Sequence, residues 1–156
     1  METRTYSGRH PADRWWRPMR LDRVHCRRRF ETGMVATLGT IDAAGSPHLV
    51  PVTFAMLGES VYLVVDQKPK SSRQLARLRN IRRHPAVSLL VDHYEPDWAA
   101  LWWVRVDGTA RIEAEPTVMA MPLQALAAKY PQYRQEPPAG PVIRIDVDHW
   151  AGWTAS

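Results

Sequence analysis

The chain has few of the features that would let it cross a membrane, staple itself covalently or work as a self-sufficient catalyst. Its single cysteine, Cys26, cannot form an internal disulfide. No apolar run approaches the roughly 20 residues that a membrane-spanning helix needs. The N-terminus carries arginines and tryptophans where a secretory signal needs an unbroken apolar stretch, so a cytoplasmic location is the expectation. The six histidines, His10, His25, His48, His84, His93 and His149, give no i,i+4 pair, and there is no second cysteine, so no metal site is expected. Gly45-Ser46-Pro47 sits in a hairpin and lacks the Gly-x-Ser-x-Gly elbow of serine hydrolases. No Gly-x-Gly-x-x-Gly follows a strand, which argues against a Rossmann site. Asp146 and Asp148 alternate on a strand and are expected to face solvent. An enzyme built from this chain therefore has to borrow its chemistry from a cofactor.

What is present fits one globular domain. A chain of 156 residues, 45% hydrophobic and 24% charged, is long enough to bury about two-thirds of its unfolded surface. The net charge of +5 is unevenly spread: residues 1–30 hold nine arginines against three acids, and residues 68–84 hold seven cations and no acid. The remainder sums to −8, so the positive charge is localised and favours an anionic partner at a site.

Residues 1–18 show no sustained period and read as an arm. Either the patterned chain begins at Met19, or Trp15 and Trp16 anchor the arm on a partner subunit. From Asp22, an N-cap, residues 22–32 predict a short helix with Val24, Cys26 and Phe30 as its apolar members, ended by Gly33 at C′. Cys26 reads as buried filler. Strands follow over 34–41, 47–57 and 60–66 in meander order, with a turn at 42–45. A helix with Leu75, Leu78 and Ile81 on one face stops at Pro85. A strand over 86–91, nearly all apolar, is expected to be buried on both faces. Another over 102–112 bends at Asp107-Gly108, residues 117–130 are helical despite Pro122, and 142–147 form a sixth strand after a proline-rich connection over 131–141. Six strands with inserted helices predict a mainly β fold, an antiparallel barrel with flanking helices.

The strongest local chemical signal is Lys68-Pro69-Lys70-Ser71-Ser72 ahead of a helix starting near Arg73. A helix N-terminus presents unpaired N–H groups and about half a positive charge, and two lysines and two hydroxyls beside it would cradle a phosphate. The bland alternative is a serine cap with solvated lysines. Arg73 and Arg77, four apart, with Arg79, Arg82 and Arg83 nearby, make a basic face opposite the leucine stripe. It suits a polyanionic tail, whereas nucleic acid ranks behind a small ligand because no recognised binding motif accompanies it. Residues 94–103 gather Tyr94, Trp98, Trp102 and Trp103, more aromatic surface than the core of so small a domain requires.

Several segments together, Pro47-His48-Leu49-Val50-Pro51-Val52-Thr53-Phe54, Asp66-Gln67-Lys68-Pro69-Lys70, Leu78-Arg79-Asn80-Ile81, His84-Pro85-Ala86-Val87-Ser88-Leu89-Leu90-Val91-Asp92-His93-Tyr94 and Leu101-Trp102-Trp103-Val104, resemble the pyridoxamine-phosphate-oxidase-like, coenzyme F-420-dependent oxidoreductases of actinobacteria. The resemblance runs from about residue 19 to the end. It implies a split β-barrel homodimer with flavin or deazaflavin in a groove shared by both subunits, and a small-molecule substrate that exchanges a hydride with the cofactor. It also implies that Lys68, Lys70, Ser71 and Ser72 hold the cofactor phosphate, and that Val50, Pro51, Val52 and Thr53 lie along the ring system. Relatives often carry a basic residue and threonine at Ser71-Ser72, a departure that points to weaker phosphate contacts there or contacts moved to Lys70 and Arg73. The phosphodiester and polyglutamate tail of F-420 suit an arginine-rich groove, including Arg73 and Arg77, better than FMN does. FMN oxidases and binding proteins without turnover share the fold and remain alternatives. No proton donor is assigned; His48, Tyr94 and Arg105 are candidates by residue type alone.

Overall fold

A computed structural model describes residues 19–65 and 72–155, with side chains in the second segment described from residue 76 onward. In chain order the elements are β1 (Met19–Arg20), α1 (Arg23–Thr32), β2 (Ala36–Ile41), β3 (Pro47–Val52), β4 (Ala55–Leu57), β5 (Ser60–Val64), α2 (Ser72–Arg83) and β6 (Ala86–His93). A 3-10 turn (Trp98–Ala100), β7 (Trp102–Glu113), α3 (Pro116–Lys129), α4 (Pro131–Gln135) and β8 (Val142–Thr154) complete the chain.

All strand pairs are antiparallel, and the sheet runs β3-β2-β6-β7-β8-β5-β4 with β1 beside β8. β3 and β4 end this path on opposite sides, yet only Thr53 and Phe54 separate them in sequence. Three Cα steps span at most about 11 Å, so the two edges must lie near each other. The sheet therefore curls into a barrel left unclosed by hydrogen bonds, the split-barrel architecture that the family resemblance implies. Side chains alternating at period 2 fill it: Leu38, Val61, Leu63, Val87, Leu89, Val104, Val106, Ile143 and Ile145 are buried in one cluster with Phe30 and Phe54.

Several expectations need correction. The stretch 47–57 breaks at Thr53–Phe54, so its first half pairs back to β2 and its second forward to β5. With β1 added, eight strands form instead of six, and β8 continues to Thr154 instead of ending at 147. β6 is not buried on both faces: Val87, Leu89 and Val91 point inward while Leu90 is 37% exposed. Asp22 caps α1 as expected, accepting from the His25 N–H at 2.9 Å, but Val24 lies on the exposed side. Gly33 is the C-cap at φ −65°, not a left-handed C′ residue; a Cβ there would come within 2.6 Å of Val91 Cγ1. Close approach, not backbone freedom, selects this glycine. The bend at Asp107-Gly108 is a register shift against β8, where a Cβ on Gly108 would lie 2.5 Å from the Asp146 carbonyl oxygen. Asp146 is not left to water: it accepts from Ser60 Oγ and Arg144 and also pairs with Arg111. Asp148 accepts from Thr109 Oγ1 at 2.9 Å.

Candidate functional site

The break between β3 and β4 is held from outside by the end of α3 and by α4. Tyr130, buried at that junction, accepts the Phe54 N–H at 3.0 Å. Its single proton is directed at the carbonyls of Phe54, at 2.9 Å, and Met34, at 3.0 Å. Three backbone groups that a sheet ladder would otherwise have to satisfy are met by one phenol. Desolvation raises the pKa of that phenol. Next to it, Thr53 Oγ1 and the Tyr133 hydroxyl lie 2.7 Å apart.

Arg77, on α2, is electrostatically coupled to Tyr133 and half-buried, not on the open basic face where spacing alone puts it. Its Nε is buried with no hydrogen-bond partner among the described residues, and desolvation lowers the guanidinium pKa. One turn further along α2, Asn80 is also buried, and its amide donates to Thr40 Oγ1 at 3.1 Å. The rest of the basic face is exposed at Arg79, Arg82 and Arg83. The other arginine-rich segment is partly neutralised: Arg27 pairs with Glu31 at 2.9 Å and with Glu59 at 2.7 Å, and Arg23 also pairs with Glu59.

Among the other sequence-derived candidates, Val52 is buried and Val50 packs against the same core from half-burial, while Pro51 faces outward. Cross-strand register sets Pro51, Thr37, Leu90, Arg105 and Ala151 in one row over β3, β2, β6, β7 and β8. This row lies on the outer face of the sheet, together with Leu49, which is 66% exposed. Arg105 thus shares a face with Pro51 and is paired with Asp107 at 2.9 Å. His48 opposes the buried Thr40 and points the other way, and Tyr94 stands exposed beyond the end of β6, so the three proton-donor candidates do not converge. Ser72 and Arg73 open α2, whereas Lys68, Lys70 and Ser71 lie outside the described residues, as does the Trp15-Trp16 pair.

Sequence reading overlooked Tyr133 and Lys129. Both belong to the run Lys129-Tyr130-Pro131-Gln132-Tyr133, whose i,i+3 tyrosines were the available signal within a stretch read as helix end and connection. Among the described residues no group of three or more His, Cys, Asp or Glu side chains comes together, and no helix is long and apolar enough to cross a membrane.

Residues 25–154 match the family model described as pyridoxamine 5'-phosphate oxidase. The chain belongs to this family. Its fold is shared with a conserved hypothetical protein from Mycobacterium tuberculosis, at 22% identity and a TM-score of 0.72, with 86% of each chain covered. A FAD-binding protein from Mesorhizobium loti aligns over 90% of this chain and 100% of its own, at 20% identity and a TM-score of 0.70. A structure described as an F-420 reductase aligns over 80% of this chain and 94% of its own, at 24% identity and a TM-score of 0.60. At these identities the likeness establishes the fold alone. No curated protein matches the chain.

Proposed function

We propose that the chain is a homodimeric oxidoreductase that binds the deazaflavin coenzyme F-420 and uses it to reduce a small conjugated molecule. The observation that carries this reading is Arg77: a buried cationic nitrogen without a partner among the described residues calls for an anion beside it. Arg77 follows Lys68, Lys70, Ser71, Ser72 and Arg73 along the chain, so one anionic cofactor would engage loop, helix start and half-buried guanidinium together. Thr53 and Tyr133 add hydroxyls at the same junction.

The outer face of the barrel, with Leu49, Pro51 and Leu90 exposed, offers a surface for the ring system and for a second copy of the chain. Pro51 would meet the ring, while Val50 and Val52 would set the strand's position from the core side. Arg105 lies in the Pro51 row and would place a positive charge near a bound substrate. Bound F-420 supplies the hydride; the chain's own residues bind, orient and exclude water.

A second reading, an FMN- or FAD-binding protein with or without oxidase activity, is favoured by the FAD-binding relative from Mesorhizobium loti. Fluorescence titration of the purified protein with F-420 and with FMN separates the two, and the expected result is submicromolar binding of F-420. Submicromolar binding of FMN without F-420 would refute the primary reading. F-420 binding without hydride transfer to enones, quinones or tetrapyrroles would leave a binding protein without turnover.

A further inference from the structure

A cleft of about 440 Å³ lies between the end of α1, β4 and α3, lined by Glu31, Ala55, Met56, Ala125, Ala128 and Lys129. Its size falls within the roughly 300–1,000 Å³ of small-molecule sites. Lys129 is a chemical exception in this chain, which carries only three lysines, the other two being Lys68 and Lys70. An arginine would supply charge here just as well, but only a lysine offers an amine that gives up its proton near neutral pH.

The ammonium of Lys129 is half-buried. It sits 3.8 Å from the Phe54 ring centroid and 5.6 Å from that of Tyr130, and donates to the Glu31 carbonyl at 3.2 Å. The Glu31 carboxylate is engaged by Arg27, so among the described residues Lys129 makes no ion pair. Desolvation brings its pKa down to about 8, against a smaller opposing pull from Glu31. Roughly a quarter of the amine is then neutral at pH 7.5, against about one part in a thousand for an ordinary lysine.

An anionic occupant is disfavoured, because α1 and α3 both end at this cleft and Glu31 lines it. The walls are otherwise the methyl groups of three alanines and the Met56 side chain, which suit an uncharged apolar body. We infer that this cleft accepts small apolar aldehydes and that Lys129 bonds to them covalently as an imine. The neutral amine's lone pair attacks the carbonyl carbon, the oxygen leaves as water with the two amine protons, and a C=N bond replaces C=O with no change of oxidation state. The imine removes a buried charge whenever it is unprotonated, so adduct formation also relieves the desolvation of the ammonium.

The test is reductive trapping on the full chain with hexanal and cyanoborohydride, read by peptide mass spectrometry. Lys129 should be labelled at least tenfold faster than Lys68 or Lys70, because a neutral fraction roughly 200-fold larger outweighs the lower nucleophilicity and half-burial of its amine. Its labelling rate should saturate with hexanal concentration and rise with a midpoint near the amine's own titration. Lys129→Arg should abolish the fast adduct. Ala128→Phe, which narrows the cleft at an exposed position and keeps the amine, should slow labelling by hexanal but not by formaldehyde. Equal rates at the three lysines, or labelling of Lys129 that rises linearly with hexanal without saturating, would overturn the inference in the wild-type chain alone. Unchanged hexanal labelling of a folded Ala128→Phe variant would overturn the cleft as the binding element.

Discussion

Two turns of one helix treat buried polar groups in opposite ways. At Asn80 the side chain enters the barrel wall and meets Thr40, so both groups are satisfied within the chain. At Arg77 the guanidinium is drawn out of water towards Tyr133, and its Nε meets no partner among the described residues. A buried amide that is paired belongs to folding; a half-buried guanidinium whose Nε is unpaired is a cost to folding that a ligand can offset. The second half of α2 is therefore structural, and the proposed function assigns the first half to cofactor binding.

Substitutions can break this contrast. Arg77→Met should have the largest effect, weakening F-420 binding by about 1.5–3 kcal/mol, or roughly 10- to 150-fold in Kd, while the melting temperature stays level or rises. Lys70→Ala should weaken binding over a similar range; unchanged affinity would show that the phosphate is held elsewhere. Asn80→Ala should do the reverse of Arg77→Met, lowering stability by about 1–3 kcal/mol through the stranded Thr40 hydroxyl, with little change in Kd. Denaturant melts and titrations on the two α2 variants give the full comparison.

A smaller effect sharpens the contrast at another half-buried cation. The Lys129 pKa is lowered in the folded protein to about 8, below its unfolded value near 10.5, so the unfolded chain binds more protons between those limits. Charging Lys129 thus disfavours the fold fully below pH 8, and that penalty disappears as the pH rises through 10.5. Relative to Lys129→Met, the wild type should gain stability across this window, as measured by chemical denaturation at stepped pH. Deleting residues 1–18 is expected to have the smallest effect and to leave the barrel melting as before; loss of a soluble dimer would assign Trp15 and Trp16 to an interface.

Much of the barrel was legible because strand burial at period 2 is written locally, as at Ala36, Leu38 and Thr40 in β2. The Asp22 cap and the turn at 42–45 were legible for the same reason: their hydrogen bonds close within a few residues, as from Ala44 N and Ser46 N to Asp42. What escaped depends on contacts distant in sequence. The break at Thr53–Phe54 is fixed by Tyr130 and Tyr133, 76 and 80 residues away. The end of β8 hides its period because Gly152 must make room for Cys26 Sγ, 2.5 Å from where its Cβ would stand. Arg77 was legible as a charge, but its burial was not, because helical spacing alone cannot tell which flank of α2 packs against the rest of the chain.

The most direct test is to titrate the wild type and Arg77→Met with F-420 by fluorescence while recording the melting temperature of each. Submicromolar binding that weakens at least tenfold in the variant, with no loss of thermal stability, is the predicted result. Equal affinity in the two proteins would contradict the assignment of Arg77 to an anionic cofactor.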